Sequence, residues 1–245
     1  MQIGNSIQKI STGFRINTAK DDAAGLAISK KMEAQTNGLD KGVQNAQQTQ
    51  DALRTADGGI SKITDSLQRI RELSVQASNG TLTGKDRTAI QKEVESLKSN
   101  ISDISRNSQF NAKNVLDGSF KDVAVASQPD GSGGSVNVDN MSLEALGISD
   151  FDVTGTFDIA TIDQAITKAS EARSSVGAQS NGLGFGIEAN QISRENTLSA
   201  KSRIDGADIA KEMSRLTQAS ILKQYQQQMQ QIQQDNEKQK LNYIL

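Results

Sequence analysis

The sequence predicts a mainly α protein: an elongated antiparallel helical bundle or coiled-coil rod with a small β-hairpin region in the middle of the chain. Three observations lead there. Ile60, Ile63, Leu67, Ile70 and Ala77 recur at alternating steps of three and four, with Ser74 in the gap, which is the seam of a helix packed on another helix. Ile90, Val94, Leu97, Ile101 and Ile104 repeat the pattern, as do Ile162, Ile166, Ala169, Val176, Leu183 and Ile187. Among 245 residues there is one proline and 3% aromatics, which permits long helices and argues against a thick core.

Taken in order, Ile3, Ile7, Ile10 and Phe14 keep helical spacing until Gly13 interrupts it, and Arg15-Ile16-Asn17 reads as extended. Asp21 and Asp22 stand where a new helix is capped and its dipole favoured. From about Ala23 one helix is expected to reach Ala77, a length of roughly 80 Å at about 1.5 Å per residue. Asn79–Gly84 is a turn, and Thr83 with Asp86 forms a capping box for a helix from about Lys85 to Arg106. Two seams joined by so short a turn imply an antiparallel pair. Asp117-Gly118 is a turn signal, and Val123–Ala126 and Ser135–Val138 flank PDGSGG as a hairpin. Met141–Gly147 predicts one helical turn, and Phe151–Ile159 another extended piece. Helix returns from about Thr161 to Lys201, weakened by Asn181-Gly182 and Gly184-Phe185-Gly186. It then bends at Asp205-Gly206, and the carboxylates of Asp205 and Asp208 read as solvated. Ile209, Met213, Leu216 and Leu222 mark a terminal helix. The Gln-rich stretch from Lys223 is only weakly amphipathic and is expected to order mainly against neighbours.

Several chemistries are excluded. Without Cys or His the chain has no disulfide, thiol nucleophile, imidazole metal site or Ser-His-Asp triad. A formal net charge of −2 signals neither nucleic acid nor an anionic membrane, and no apolar run approaches a transmembrane span. Residues 1–10 lack the apolar core of a cleavable signal peptide. GLGFG at 182–186 lacks the preceding strand of a phosphate-binding loop. Asp21 and Asp22 read as helix-start residues rather than an acid–base pair. No enzyme and no cofactor are implied.

Binding is another matter. With Ile63, Leu67, Ile70 and Ser74 facing inward, Asp65, Arg69, Glu72, Leu73 and Gln76 fall on outer and flanking faces, and Glu93 flanks the second seam. A leucine among such charges can anchor an interface, although spacing alone reads this as a solvated helix face carrying one apolar residue.

Four strings, STGFRINTAKDDAAGLAI (Ser11–Ile28), LQRIRELSVQASNG (Leu67–Gly80), SQFNAKNVLDG (Ser108–Gly118) and SAKSRIDGADIAKEM (Ser199–Met213), occur in an order that resembles bacterial flagellin, the flagellar filament subunit. The hook–filament junction protein is a weaker resemblance. A signalling coiled coil of chemoreceptor type would need longer unbroken heptads and no β middle.

The flagellin resemblance implies five stretches. Residues 1–14 are a remnant of the inner N-terminal helix, whose start in the family would precede Met1. Residues 15–120 form the N-terminal half of the rod domain, 121–160 a short variable β region, 161–205 the rod's C-terminal helix, and 206–245 the inner-domain C-terminal helix. That last helix ends in a Gln-rich tail where the family has Ala and Leu. The resemblance further implies an extracellular location in the flagellum, reached by export without a cleaved signal. The implied partners are other flagellin subunits, an export chaperone, the filament cap and the Toll-like receptor that senses flagellin. Carried over by position, the receptor and subunit contacts are Arg69, Leu73 and Glu93, with Gln68, Glu72 and Gln76 beside them.

Overall fold

The computed structural model describes residues 2–242. Six helices and two short strand pairs follow one another as α1 (Gln2–Thr12), α2 (Ala23–Ala77), α3 (Gly84–Asn107), β1 (Gln109–Phe110), β2 (Lys113–Asn114), β3 (Val123–Ala124), β4 (Ser135–Val136), α4 (Leu143–Leu146), α5 (Ile159–Asp205) and α6 (Ile209–Asn242). They form two compact units. One contains the residues up to Thr36 and those from Arg194 onward; the other runs from Asn37 to Ser193.

The larger unit is built on the predicted seam. Ile60, Ile63, Leu67, Ile70, Ser74 and Ala77 are all sealed from solvent. Each large aliphatic buried in this way contributes roughly 1.5–3 kcal/mol. Val94 and Ile101 of α3 meet them, with Leu97 and Ile104 partly buried against the same core. From α5 come Ile162, Ala165, Ala169, Ala172 and Val176. Salt bridges give the direction of the pairing: Arg71 meets Asp163 at 2.6 Å while Asp57 meets Arg173 at 2.8 Å, so α5 runs antiparallel to α2. The α3 capping box forms as predicted, Thr83 and Asp86 exchanging hydrogen bonds.

The middle of the chain packs on the helices. β1 and β2 pair antiparallel through the two-residue turn Asn111-Ala112, whose φ values of 48° and 61° are those of a type I′ hairpin. β3 and β4 form the hairpin expected around PDGSGG, with Val123 opposite Val136. Carboxamides pin that hairpin down: Asn45 and Asn190 donate to the carbonyls of Ala126 and Ser127, and Gln179 exchanges two bonds with the backbone of Asn137. The Ser127 backbone passes so near α2 that only glycine fits at position 42.

One expectation for these segments needs correction. Phe151–Ile159 is not an extended strand: Asp152 folds it into a turn by accepting from the N–H and hydroxyl of Thr154, and Phe151 and Phe157 stack edge to face at 5.9 Å. As expected from Thr161 to Lys201, α5 stays continuous through the glycines at 182, 184 and 186, with packed Val176 and Asn190 on either side of them. The expected terminal helix forms as α6 and leaves much of its apolar stripe open. Leu216 is half-buried, but Ile209, Met213 and Leu222 are exposed, since the 11-residue α1 has too little surface to cover the 34-residue α6.

In the smaller unit α1 packs on α6. Gly13, with φ of 74°, ends α1 in the left-handed conformation, and the chain leaves as a bridge pairing Phe14 with Gly206. Phe14 therefore lies outside the helix whose spacing it continues. The Arg15 N–H donates to the Asp205 carbonyl at 2.6 Å, and the Ala207 N–H donates to the Gly13 carbonyl at 3.0 Å. No described helix is long and apolar enough to cross a membrane.

Candidate interaction surface

Two places gather the residues singled out by sequence. The first is the face of α2 that turns toward α3. Arg69 donates two hydrogen bonds to Glu93 Oε1, at 2.9 and 2.8 Å, and a third to Glu72 Oε2 at 3.0 Å. The bonds to Glu93 first, and then the bond to Glu72, raise the guanidinium pKa further above its ordinary value. The Arg69 side chain remains 50% exposed, so the network is a charged fork held open to solvent. Gln68, Glu72, Gln76 and Glu93 are exposed around it.

Leu73 is elsewhere. It is 2% exposed and belongs to the core, which corrects its placement on an outer or flanking face. The reason is the width of the buried stripe. Arg69 reaches α3 on one flank of α2 while Arg71 reaches α5 on the other, so two helices cover α2 and their combined arc includes position 73. The exposed apolar residue of this face is Val75, 51% exposed; at about 100° per residue it shares a side with Gln68 and Glu72. A stripe measured from one seam could not reveal it, but a three-helix pattern, with both flanks allowed to be buried, would have.

The second place joins the first and last of the four strings within the smaller unit. Asp205 accepts from the Ser29 hydroxyl at 2.6 Å and pairs with Lys201 at 2.9 Å, and Lys201 also stands 5.2 Å over the Phe14 ring. Arg15 donates to the Ile204 carbonyl at 2.6 Å. Asp205, expected to be solvated, is 5% exposed because the end of α5 is wedged between α2 and the strand-like Phe14–Ile16. Burial pushes its pKa up, but the bonds from Ser29 and Lys201 and the lysine charge outweigh burial and hold the carboxyl below its ordinary range.

Asp21 and Asp22 act as local caps. Asp21 accepts from the backbone N–H groups of Asn17 and Thr18, and Asp22 accepts from that of Gly25 at 2.8 Å. Asp208 does the same for Lys211 at the start of α6. Among the described residues no group of three or more acidic side chains is arranged to hold a metal. These hydrogen bonds of Asp21, Asp22 and Asp208 are all to neighbouring groups of the chain, within four residues.

Comparison with known proteins agrees with this architecture. Residues 1–121 match the family model for the bacterial flagellin N-terminal helical region, and residues 159–244 match that for the C-terminal helical region. The chain is 38% identical over 263 residues to a flagellin of Bacillus subtilis strain 168, covering 91% of this chain and 86% of that one. It is 35% identical, with the same coverages, to a flagellar filament 33 kDa core protein of Treponema phagedenis. Among solved structures, Bacillus cereus flagellin superposes with a TM-score of 0.53 at 27% identity, over 60% of this chain and 88% of that one. A putative flagellar hook-associated protein from Vibrio parahaemolyticus shares the fold at 15% identity, with a TM-score of 0.59 over 76% of this chain and 100% of that one.

Proposed function

Because the chain belongs to the bacterial flagellin family, a family of structural filament subunits and not enzymes, we propose that the face carrying Gln68, Arg69, Glu72, Gln76 and Glu93 is where neighbouring subunits dock in the flagellar filament. The same face, open in the monomer, is the surface read by the Toll-like receptor that senses flagellin. Leu73 serves it from beneath, as the core residue that fixes the spacing of α2 and α3. Family membership also supports export without a cleaved signal, in the company of an export chaperone, and placement of the subunit beneath a filament cap.

The observation that carries this reading is the Arg69–Glu93 fork. A planar guanidinium already locked by two bonds to one carboxylate loses little further side-chain freedom when a partner arrives. Exposed Val75 supplies apolar area beside it.

Arg69→Ala with Glu93→Ala is expected to weaken binding of the monomer to the purified receptor ectodomain by about tenfold or more, as hot-spot truncations do. Arg54→Ala, which removes an exposed pair with Asp51 farther along α2, serves as control. Sedimentation after adding filament seeds, followed by electron microscopy of the pellet, reads the docking arm. Unchanged receptor binding together with unchanged filament growth in the double variant would sink the proposal. Leu73→Ala is unsuited to the test, because it opens a cavity in the core.

A further inference from the structure

The chain contains three Asn-Gly pairs, at 37–38, 79–80 and 181–182, and the fold treats them differently. Asn37-Gly38 lies inside α2 and Asn181-Gly182 inside α5, where each glycine N–H is committed to the helix ladder. Asn79-Gly80 lies in the turn between α2 and α3, with both residues exposed and open space around the glycine. Here the Asn79 side chain is engaged through its oxygen: Oδ1 accepts from the Thr81 N–H at 3.1 Å and from the Thr81 hydroxyl at 3.0 Å.

We infer that Asn79 is a site of spontaneous backbone modification, selected by this turn from three identical dipeptides. The Gly80 nitrogen gives up its proton and attacks Asn79 Cγ. A new C–N bond closes a five-membered succinimide, and the Cγ–NH₂ bond breaks to release ammonia. Water then opens either imide carbonyl, leaving aspartate or isoaspartate at 79. Both Thr81 donors point at the oxygen on which negative charge gathers as the nitrogen adds, so they favour the tetrahedral intermediate as a pair of oxyanion-hole donors does. Gly80 presents no side chain to obstruct the approach, and its backbone can adopt the rearranged conformation that the ring needs. At the two helical pairs the same attack requires local opening of the helix first. The outcome is a new carboxylate, and in the isoaspartate product an extra backbone methylene, in the turn that sets α3 against α2.

The test is peptide mapping by mass spectrometry of the full-length folded chain, incubated at physiological pH and temperature, with isoaspartate detected by enzymatic methylation. Conversion at Asn79 is expected to exceed that at Asn37 and Asn181 by about tenfold or more, the penalty that local unfolding imposes on the helical sites. Gly80→Ala should slow it while leaving the circular dichroism unchanged, and Thr81→Val, which removes one donor to Oδ1, should slow it less. In denaturant the three sites should convert at similar rates. Equal rates at all three sites in the folded chain, or an Asn79 rate that Gly80→Ala leaves unchanged, would overturn the inference.

Discussion

Asp205 shows how much one carboxylate can hold. It sits at the end of α5, tied to Ser29 of α2 and Lys201 of its own helix, with the backbone bridge to Arg15 alongside. Asp205→Ala leaves the Lys201 ammonium, itself mostly buried, and the Ser29 hydroxyl without their partner, and is expected to cost about 2–4 kcal/mol in thermal unfolding of the smaller unit. The pH dependence has a definite sign. A carboxyl whose folded pKa lies below its unfolded value stabilises fully above the unfolded pKa, and loses that contribution as pH falls through the folded one. Acidification below the ordinary aspartate range should therefore weaken the unit, and Asp205→Asn should flatten that acid limb; an unaltered acid limb would remove Asp205 as its source. None of this was readable from the chain, since Ser29 and Asp205 are 176 residues apart and Asp-Gly looks like an ordinary solvated bend. By contrast, Thr83 and Asp86 were legible because their partners lie within one helical turn.

Among the elements, the seams were the most legible feature, because burial of a helix repeats every three to four residues and leaves its record in a single strand of sequence. α2 begins and ends where the pattern does. What the pattern could not carry was the number of neighbours, and that is why Leu73, a core residue, reads from one seam as lying on an outer or flanking face. The course of α5 through its glycines was legible in the seam from Ile162 to Ile187, which continues on both sides of them. Those glycines leave a testable reserve of stability. Gly182 is helical, and a Cβ there would meet nothing within 4 Å. Gly182→Ala should raise stability by about 0.5–1 kcal/mol, seen as a higher Tm, by removing backbone freedom from the unfolded chain. A lower Tm would mean that α5 needs the glycine for something its own packing does not reveal.

For the whole molecule, the division into two units predicts two levels of protection. A chain stopped after Asp205 lacks α6, and its α1 amides should then exchange with solvent much faster, while those of Ile60–Ala77 keep their protection. Persistent protection of α1 would show that α6 is not what holds it. The pairing of α1 with α6 was implied only by the family resemblance, because the apolar spacing of α1 names no partner and α6 is only weakly amphipathic.

The bond from Ser6 to Glu212 spans 206 positions in the chain, and the bridge from Phe14 to Gly206 spans nearly as many. Contacts so distant in sequence close slowly and last. When the chain is made from its N-terminus, α1 stays without its partner until the start of α6 at Ile209 has emerged. Docking of α1 in the smaller unit thus depends on a nearly full-length chain. A subunit cut short between Ser193 and Ile209 keeps every residue of its larger unit yet leaves its opening helix undocked, so a fault made late in synthesis becomes visible at the very beginning of the polypeptide.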